Sequence, residues 1–171
     1  MRGSQAKRIT PVGAAAVLML TLGIKPTPLF IWNSSQSVPI GLYAMRSSDP
    51  LVIADLVVVM PPEPLAGFLA QRGYLPQGVP LIKRILALAG QAVCRNDLTI
   101  TVDGINIGTA RDSDHRDRPL PAWAGCRLIQ DGEVFLMNRD EPASLDGRYF
   151  GPIPSSAIVG RAQPVWTFEK Q

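Results

Sequence analysis

Turn-forming residues interrupt this chain at close intervals, and their spacing limits the lengths of the helices and strands that it can form. The 171 residues include 16 Pro and 15 Gly, the residue types that most strongly end regular structure. The segments between them are mostly short and rich in β-branched residues, which is typical of strands. A mainly β domain is therefore predicted. Its expected strands span residues 40–45, 52–60, 79–88, 98–102, 105–108, 133–138 and 157–162.

Three other segments complete the expected fold. Residues 63–73 begin beside two prolines and end in a glycine, which predicts one helix covering one end of the sheet. Asp103 and Gly104 form a dipeptide typical of a tight β-hairpin turn. The polar segment 109–125 lacks apolar periodicity and is expected to be a long loop tied down by a cysteine bridge.

The length and the composition allow one compact domain with a sizeable core, plus an appendage. Hydrophobic residues make up 46% of the chain, which excludes disorder as its general state. The formal net charge is only +3, and the basic residues are spread along the chain rather than clustered. A nucleic-acid partner is therefore not expected.

The first residues have the layout of an export signal or a membrane anchor. Basic residues without any acidic residue precede an apolar run at 12–24, as both kinds of segment require. The run is shorter than the roughly 20 residues of a comfortable span, which favours a cleaved signal, but no small-x-small cleavage site follows it. We interpret residues 1–32 as a retained anchor, with its second apolar patch, 29–32, at the membrane interface, and 33–171 as the exported domain.

Ser37 and Lys83 are the candidate catalytic residues, because a serine nucleophile needs a base. The only histidine, His115, lies in a polar stretch that indicates a solvated loop. Lys83 lies among leucines and isoleucines, and burial lowers the pKa of a lysine by disfavouring its charged form. A neutral lysine can serve as a general base. The alternative is that Lys83 points outward from a half-buried strand, as lysines commonly do.

Cys94 and Cys126 are the two cysteines of the chain. In the oxidising compartment expected for an exported domain, such a pair is more often bridged than reactive, so a disulfide between them is predicted. Two cysteines and one distant histidine do not make a zinc site. Neither a metal nor another cofactor is expected.

Three segments resemble, in the same order, the type I signal peptidase superfamily. They are SSQSVPIGLYAM at 34–45, PLIKRILALAG at 80–90 and NRDEPASLDGRYFGPIP at 138–154. The first is most similar to the TraF-type conjugative-transfer peptidases, whose pattern S-x-P-x-G-x-Y is met from Ser37 to Tyr43. The likeness continues to about Trp166. The chain departs from general signal peptidases at Val38-Pro39 and at Gly90-Gln91, which puts ordinary pre-protein processing in doubt as its main task.

The resemblance implies a signal-peptidase-like β-barrel or sheet domain with one or two short helices. It implies that Ser37 is the nucleophile and Lys83 the general base of a serine-lysine dyad. Ser35 corresponds to a serine whose hydroxyl binds the oxyanion together with the Ser37 backbone N–H. Ser144 corresponds to a serine of the family that orients the lysine amine. Asp146 and Arg148 correspond to a pair that stabilises the site.

In the family that this chain resembles, the substrate is a propilin of a conjugative pilus, and it is cleaved through an acyl-enzyme. Water, or in some members the pilin's own amino terminus, resolves that intermediate, and the sequence favours neither. The resemblance thus implies a serine endopeptidase in the bacterial inner membrane, with a periplasmic catalytic domain and mating-pair formation proteins as partners. Two alternatives are a general type I signal peptidase acting on exported pre-proteins and a non-catalytic structural component of the transfer apparatus.

Overall fold

In the computed structural model, residues 29–168 are described, and they form two antiparallel β-sheets with two short α-helices. The anchor expected at residues 1–32 therefore lies almost entirely outside the described residues. No helix within 29–168 is long and apolar enough to cross a membrane. The prediction of a mainly β fold is confirmed.

The larger sheet positions both candidate catalytic residues. Its seven strands are, in spatial order, β1 (Phe30–Asn33), β2 (Gly41–Arg46), β11 (Ile158–Thr167), β3 (Leu56–Val59), β4 (Leu81–Ala87), β9 (Glu133–Leu136) and β10 (Ile153–Pro154). The ten-residue β11 pairs with β2 along one part and with β3 along another, so it joins two halves of the sheet. Lys83 lies on β4, and Ser37 lies in the loop between β1 and β2.

The smaller sheet contains the predicted hairpin and the disulfide. Its four strands are, in spatial order, β7 (Ile105–Thr109), β6 (Thr99–Val102), β5 (Ala92–Asn96) and β8 (Gly125–Leu128). Asp103 and Gly104 join β6 to β7 with φ angles of +49° and +79°, as a type I′ turn requires at both central residues. Cys94 on β5 lies opposite Cys126 on β8, and a disulfide bond joins them.

The described residues form three apolar core clusters, and the side chains of β9 alternate between two of them. Val134 and Leu136 pack with residues of β3 and β4 in the larger sheet. Phe135, followed by Met137, packs instead with residues of β5, β6 and β7. Alternating faces of one strand thus bind the two sheets together. The chain that leaves β9 after Leu136 carries the third of the sequence segments described above.

Two α-helices, and a 3-10 helix at Ser155–Ala157, lie among the described residues. The first, α1 (Leu65–Gln71), falls inside the predicted helical segment 63–73. The second, α2 (Gly147–Phe150), is a single turn that the sequence does not indicate. Asp146 caps α2, because its carboxylate accepts a hydrogen bond from the backbone N–H of Arg148.

Every predicted strand segment overlaps an observed strand, but β1, β5, β8 and β10 have no predicted counterpart. The strand β1 pairs with β2 from Phe30 onward, so the sheet begins before residue 33, where the exported domain was expected to start. The predicted segment 52–60 is also too long, since β3 begins at Leu56. Ala54 has a left-handed φ of +75°, which interrupts an extended strand before that point.

Candidate active site

A cavity of about 370 Å³ has both candidate catalytic side chains in its wall. Ser37 reaches it from the loop after β1, and Lys83 from β4. Ser144, from the segment before α2, lies in the same wall. Apolar lining residues include Leu69, Leu75, Val79, Leu81, Leu120 and Leu145. The fold therefore brings residues that are far apart in sequence into the lining of one partly apolar cleft.

Asn33, at the end of β1, is buried and holds the loop that carries Ser37. Its side-chain Nδ2 donates to the carbonyl oxygens of Ser35, Val38 and Pro39 at 2.8, 3.1 and 3.1 Å. Its Oδ1 accepts from the backbone N–H and from the hydroxyl of Ser35. One buried amide thus satisfies the polar backbone of a tight loop, a role that nothing in the sequence pattern indicates.

Gly41 and Tyr43 show what the spaced residues of the S-x-P-x-G-x-Y pattern do. The buried Tyr43 donates its hydroxyl hydrogen to the Pro39 carbonyl oxygen at 2.6 Å. Gly41 has a φ of +153°, and a Cβ atom there would lie 2.2 Å from the carbonyl oxygen of Trp166 on β11. Only glycine permits this close approach between β2 and β11. These residues therefore fix the far end of the nucleophile loop.

Ser37 is half-buried, and its Oγ forms a hydrogen bond of 2.9 Å with Ser35 Oγ. Within the described part of the chain, the backbone N–H of Ser37 has no hydrogen-bond partner, so it is available to a substrate oxyanion. No hydrogen bond joins Ser37 Oγ to Lys83 Nζ among these residues; such bonds often tighten only when substrate binds. The Ser35 hydroxyl also contacts Asn33 Oδ1 at 3.0 Å, and it would have to leave that partner to bind an oxyanion.

Lys83 is buried, with 4% of its surface exposed, so the alternative that it points outward is wrong. Its Nζ donates to Ser144 Oγ at 2.7 Å. Burial lowers the pKa of Lys83 from 10.5 to about 8; the Asp146 charge opposes this shift, the Arg148 charge adds to it, and the Glu141 charge opposes it. Near pH 8 a large fraction of this amine is therefore neutral and able to accept a proton.

Asp146 and Arg148 form a buried ion pair. The Arg148 Nε and Nη2 atoms donate to the two carboxylate oxygens of Asp146, both at 2.9 Å, which is the strong two-pronged geometry. The same guanidinium donates to the carbonyl oxygens of Glu141 at 2.7 Å and Asn138 at 3.2 Å. The pair thereby fixes the segment that contains Ser144.

Two other buried residues near the site, Asn138 and Arg95, have no predicted role. Asn138 lies opposite Lys83, just after β9, and its backbone N–H donates to Asp146 Oδ2 at 3.0 Å. Arg95 on β5 donates to the Arg148 carbonyl oxygen at 2.6 Å, which ties the smaller sheet to α2. Asn138 begins the segment 138–154 that resembles signal peptidases, and this position in the sequence could have indicated a role at the site. Arg95 offers no such indication, because an arginine in a strand ordinarily faces solvent.

Part of the loop 110–124 also lines the cavity. Arg111, Ser113, Asp114 and the exposed His115 all contribute to the lining. Asp114 accepts hydrogen bonds from the side chains of Tyr74 and Arg118. The sequence predicts that the disulfide ties this loop down, and the structure adds these polar contacts to it. Among residues 29–168, no group of three or more His, Cys, Asp or Glu is arranged to hold a metal ion.

Comparison with known proteins gives consistent matches over most of the chain. The protein family described as "Signal peptidase, peptidase S26" matches residues 2–167. The chain is 38% identical to the conjugal transfer protein TraF of Agrobacterium fabrum strain C58 over 149 residues, 80% of this chain and 82% of that protein. It is 32% identical to a plasmid transfer protein TraF of Escherichia coli over 174 residues, 95% and 96% of the two chains. A signal peptidase I structure from Enterococcus faecalis V583 is 18% identical, with a TM-score of 0.39, over 68% of this chain and 98% of that one.

Proposed function

This chain belongs to the peptidase S26 family of signal peptidases, and we propose that it is a serine endopeptidase with Ser37 as its nucleophile and Lys83 as its general base. One observation carries the proposal. Lys83 is a buried amine with a pKa of about 8, in the wall of the cavity that also contains Ser37. A serine beside a base that is partly neutral at working pH is the arrangement that nucleophilic catalysis needs.

The first chemical step forms an acyl-enzyme. Neutral Lys83 Nζ takes the proton of Ser37 Oγ while that oxygen attacks the carbonyl carbon of the scissile peptide bond. The backbone N–H of Ser37 donates to the oxyanion of the tetrahedral intermediate. The intermediate then collapses, the C–N bond breaks, and the Lys83 ammonium gives its proton to the leaving amine.

The second step releases the acyl group. A water molecule or another amine attacks the ester carbonyl, and Lys83 again accepts the proton of the attacking group. The Ser37–carbon bond breaks, and the proton returns to Ser37 Oγ. Ser144 keeps the lysine amine in place through its 2.7 Å hydrogen bond, and the Asp146–Arg148 pair keeps Ser144 in place.

The proposed substrate is a propilin that is processed for conjugation. This step rests on the relatives, which are named for conjugal or plasmid transfer, and on Pro39, Gly41 and Tyr43, which complete the TraF-type pattern after Ser37. The partly apolar cavity fits an apolar stretch of substrate chain. The partners proposed with it are the propilin and the other proteins of the transfer apparatus.

The proposed location is the bacterial inner membrane, with the cavity on the periplasmic side. Trp32, Trp166 and Phe168 are each about half exposed, at 52%, 55% and 50%, and their rings contact one another. Exposed aromatic clusters are typical of the membrane interface, and Trp32 of this cluster comes shortly after the apolar run at 12–24 in sequence. Quenchers placed in the lipid headgroup region should quench the tryptophan fluorescence of the vesicle-bound full chain less when Trp166 is replaced by serine, whereas unchanged quenching would contradict this orientation.

The central test is to co-express the chain with its candidate propilin and to measure the intact mass of the pilin. We expect Ser37→Ala and Lys83→Ala each to abolish processing, while the exposed control Arg116→Gln leaves it intact. Processing that survives either catalytic substitution overturns the dyad. A wild-type product lighter by one water than the trimmed linear chain indicates cyclisation, and no such difference indicates hydrolysis.

A parallel arm uses an ordinary exported pre-protein as the substrate. The proposal expects little or no cleavage of this pre-protein under conditions in which the propilin is fully processed. Equal cleavage of both substrates would favour a general signal peptidase. Cleavage of neither, by a folded wild-type chain, would favour a structural component of the apparatus.

A further inference from the structure

Asn138 occupies the position opposite Lys83 across the β4–β9 pairing. Ile85 pairs with Leu136 in this antiparallel ladder. Each residue closer to Lys83 on β4 is therefore opposite one residue further past Leu136 on the facing strand. Met137 follows the ladder, because its backbone N–H donates to the Arg84 carbonyl oxygen at 2.9 Å. The next residue, Asn138, comes directly opposite Lys83.

The backbone pairing stops there, and the Asn138 side chain replaces it. In a continued ladder, the Arg84 N–H would donate to the backbone carbonyl oxygen of Met137. It donates instead to Asn138 Oδ1 at 3.0 Å. The Ile82 carbonyl oxygen, the next acceptor along β4, accepts from Asn138 Nδ2 at 3.2 Å. One side-chain amide thus supplies an acceptor and a donor on the two sides of Lys83.

Because the side chain of Asn138 pairs with β4, the backbone of Asn138 can form hydrogen bonds elsewhere. Its N–H donates to Asp146 Oδ2 at 3.0 Å, and its carbonyl oxygen accepts from Arg148 Nη2 at 3.2 Å. Asn138 is buried, at 6% exposed, so these bonds are made away from solvent. The residue therefore ties the strand that carries Lys83 to the ion pair that fixes the segment of Ser144.

We propose that Asn138 is a positioning residue for Lys83: its amide takes the place of a strand backbone, which lets the chain leave the sheet opposite the lysine without loosening β4. This proposal rests on the function proposed above. Asparagine suits this position because its amide presents the same acceptor and donor pair as a peptide group. Its short side chain also reaches both partners from one Cα atom. Alanine would leave a backbone N–H and a carbonyl oxygen of β4 unpaired beside the lysine.

The charges that act on Lys83 define a readout for this role. They are those of Asp146, Arg148 and Glu141, and the lining of the same cavity also includes Arg111, Asp114 and His115. Substituting Asn138 by alanine changes none of these charges. Burial is the largest cause of the lowered Lys83 pKa, so water that reaches the loosened strand would move that pKa back toward 10.5.

The experiment compares Asn138→Ala with Asn106→Ala in the full chain. Asn106 is a matched control because its side-chain oxygen also accepts a backbone N–H, that of Gly108, but at an exposed position of β7. We expect Asn138→Ala to lower kcat about 100-fold with little change in KM, since a small misplacement of a catalytic group costs about that much. We also expect the midpoint of the pH–rate profile to move upward by at least about half a unit. Asn106→Ala should change neither.

Each outcome decides the proposal. A lower rate that simply follows the folded fraction, with an unmoved midpoint, makes Asn138 a folding residue and overturns it. If Asn138→Ala does not fold, Asn138→Gln keeps the amide but displaces it by one methylene, and the same shift is expected; failure of both to fold also overturns the proposal. A failure of the proposed function is distinguishable, because either the folded wild-type chain would then process no substrate, or Ser37→Ala or Lys83→Ala would remain active whatever Asn138 does.

Discussion

Ser37 and Lys83 line one cavity, but the two sides of that cavity are built differently. On the nucleophile side, Ser37 is half-buried and Ser35 is exposed, and neutral hydrogen bonds from Asn33 and Tyr43 shape their loop. On the base side, Lys83 and every group that supports it are buried.

The difference follows from what the proposed mechanism requires of each side. A serine hydroxyl is an ordinary polar group in water, and it must rotate from Ser35 toward the base and the substrate, so partial exposure suits it. A lysine becomes a base only when its charged form is disfavoured, which requires burial and hence fixed partners for every neighbouring charge. The base side therefore stores unfavourable electrostatic energy that the nucleophile side does not, and substitutions on the two sides should differ in stability, in activity and in pH dependence.

The largest expected effects come from removing the dyad itself. Ser37→Ala and Lys83→Met should each lower kcat at least about 1,000-fold, because removing one member of such a unit disables the whole. Their stabilities should diverge. The pKa of Lys83 falls from 10.5 to about 8 on folding, which is a cost of about 3 kcal/mol at neutral pH. Lys83→Met should recover much of that cost, whereas Ser37→Ala should stay within about 0.5 kcal/mol of wild type.

Urea unfolding at several pH values checks this divergence. Between pH 8 and 10.5 the unfolded lysine binds more protons than the folded one, so wild-type stability should rise with pH across that window. The lysine contribution to that rise should vanish in Lys83→Met. A Lys83→Met protein less stable than wild type at pH 7 would show that the base side is not electrostatically strained.

The next largest effect concerns the ion pair of the base side. Asp146→Ala leaves the buried Arg148 guanidinium without its counter-ion, and breaking a buried pair in this way costs about 3–5 kcal/mol. Arg127→Met is the control, because the Arg127–Glu133 pair is 50% and 25% exposed and should contribute less than about 1 kcal/mol. On the nucleophile side, Asn33→Ala removes only neutral bonds and should cost about 1–3 kcal/mol. Equal losses in the free energy of unfolding for Asp146→Ala and Asn33→Ala, measured by thermal or urea unfolding, would contradict the proposed difference between the two sides.

How far the sequence predicts this arrangement also differs between the two sides. The spacing of Pro and Gly predicts a β domain, and the motif pattern marks Ser37, Lys83 and Ser144 as a group, which the fold places in one cavity wall. The Asp103-Gly104 hairpin is predictable because its turn type depends on those two residues alone. These features are predictable because they depend on neighbouring residues or on a motif with fixed spacing.

The supporting residues are not predictable in this way, since their roles depend on tertiary pairing. Asn33 is part of a strand, β1, that lacks a clear strand signal and exists because β2 pairs with it. The burial of Arg95 depends on the carbonyl oxygen of Arg148, distant in sequence. The role of Asn138 requires the register of β4 against β9, which no local pattern specifies.

The pH dependence of acylation offers a smaller but sharper contrast. The rate at low substrate concentration should rise about tenfold per pH unit and level off near pH 8, because the proposed mechanism needs neutral Lys83. Glu141→Gln removes a charge that raises the Lys83 pKa, so it should move the midpoint downward by a few tenths of a unit. Ser35→Ala, on the nucleophile side, should change the height of the profile and leave the midpoint in place. Stopped-flow acylation with a propilin-derived peptide ester measures both, and a midpoint shift in Ser35→Ala alone would reverse the assignment of the two sides.

Tyr43→Phe should give the smallest effect, and it isolates one bond of the nucleophile side. The substitution removes only the hydroxyl that donates to the Pro39 carbonyl oxygen at 2.6 Å, and a neutral hydrogen bond of this kind contributes about 1 kcal/mol. The Pro39 carbonyl oxygen would still have a hydrogen-bond donor, because it also accepts from Asn33 Nδ2 at 3.1 Å. Urea unfolding should therefore show a loss near 1 kcal/mol, with kcat reduced only a few fold and the pH midpoint unchanged. A loss as large as that of Asp146→Ala would mean that the nucleophile loop, despite its exposure, is held as rigidly as the buried base.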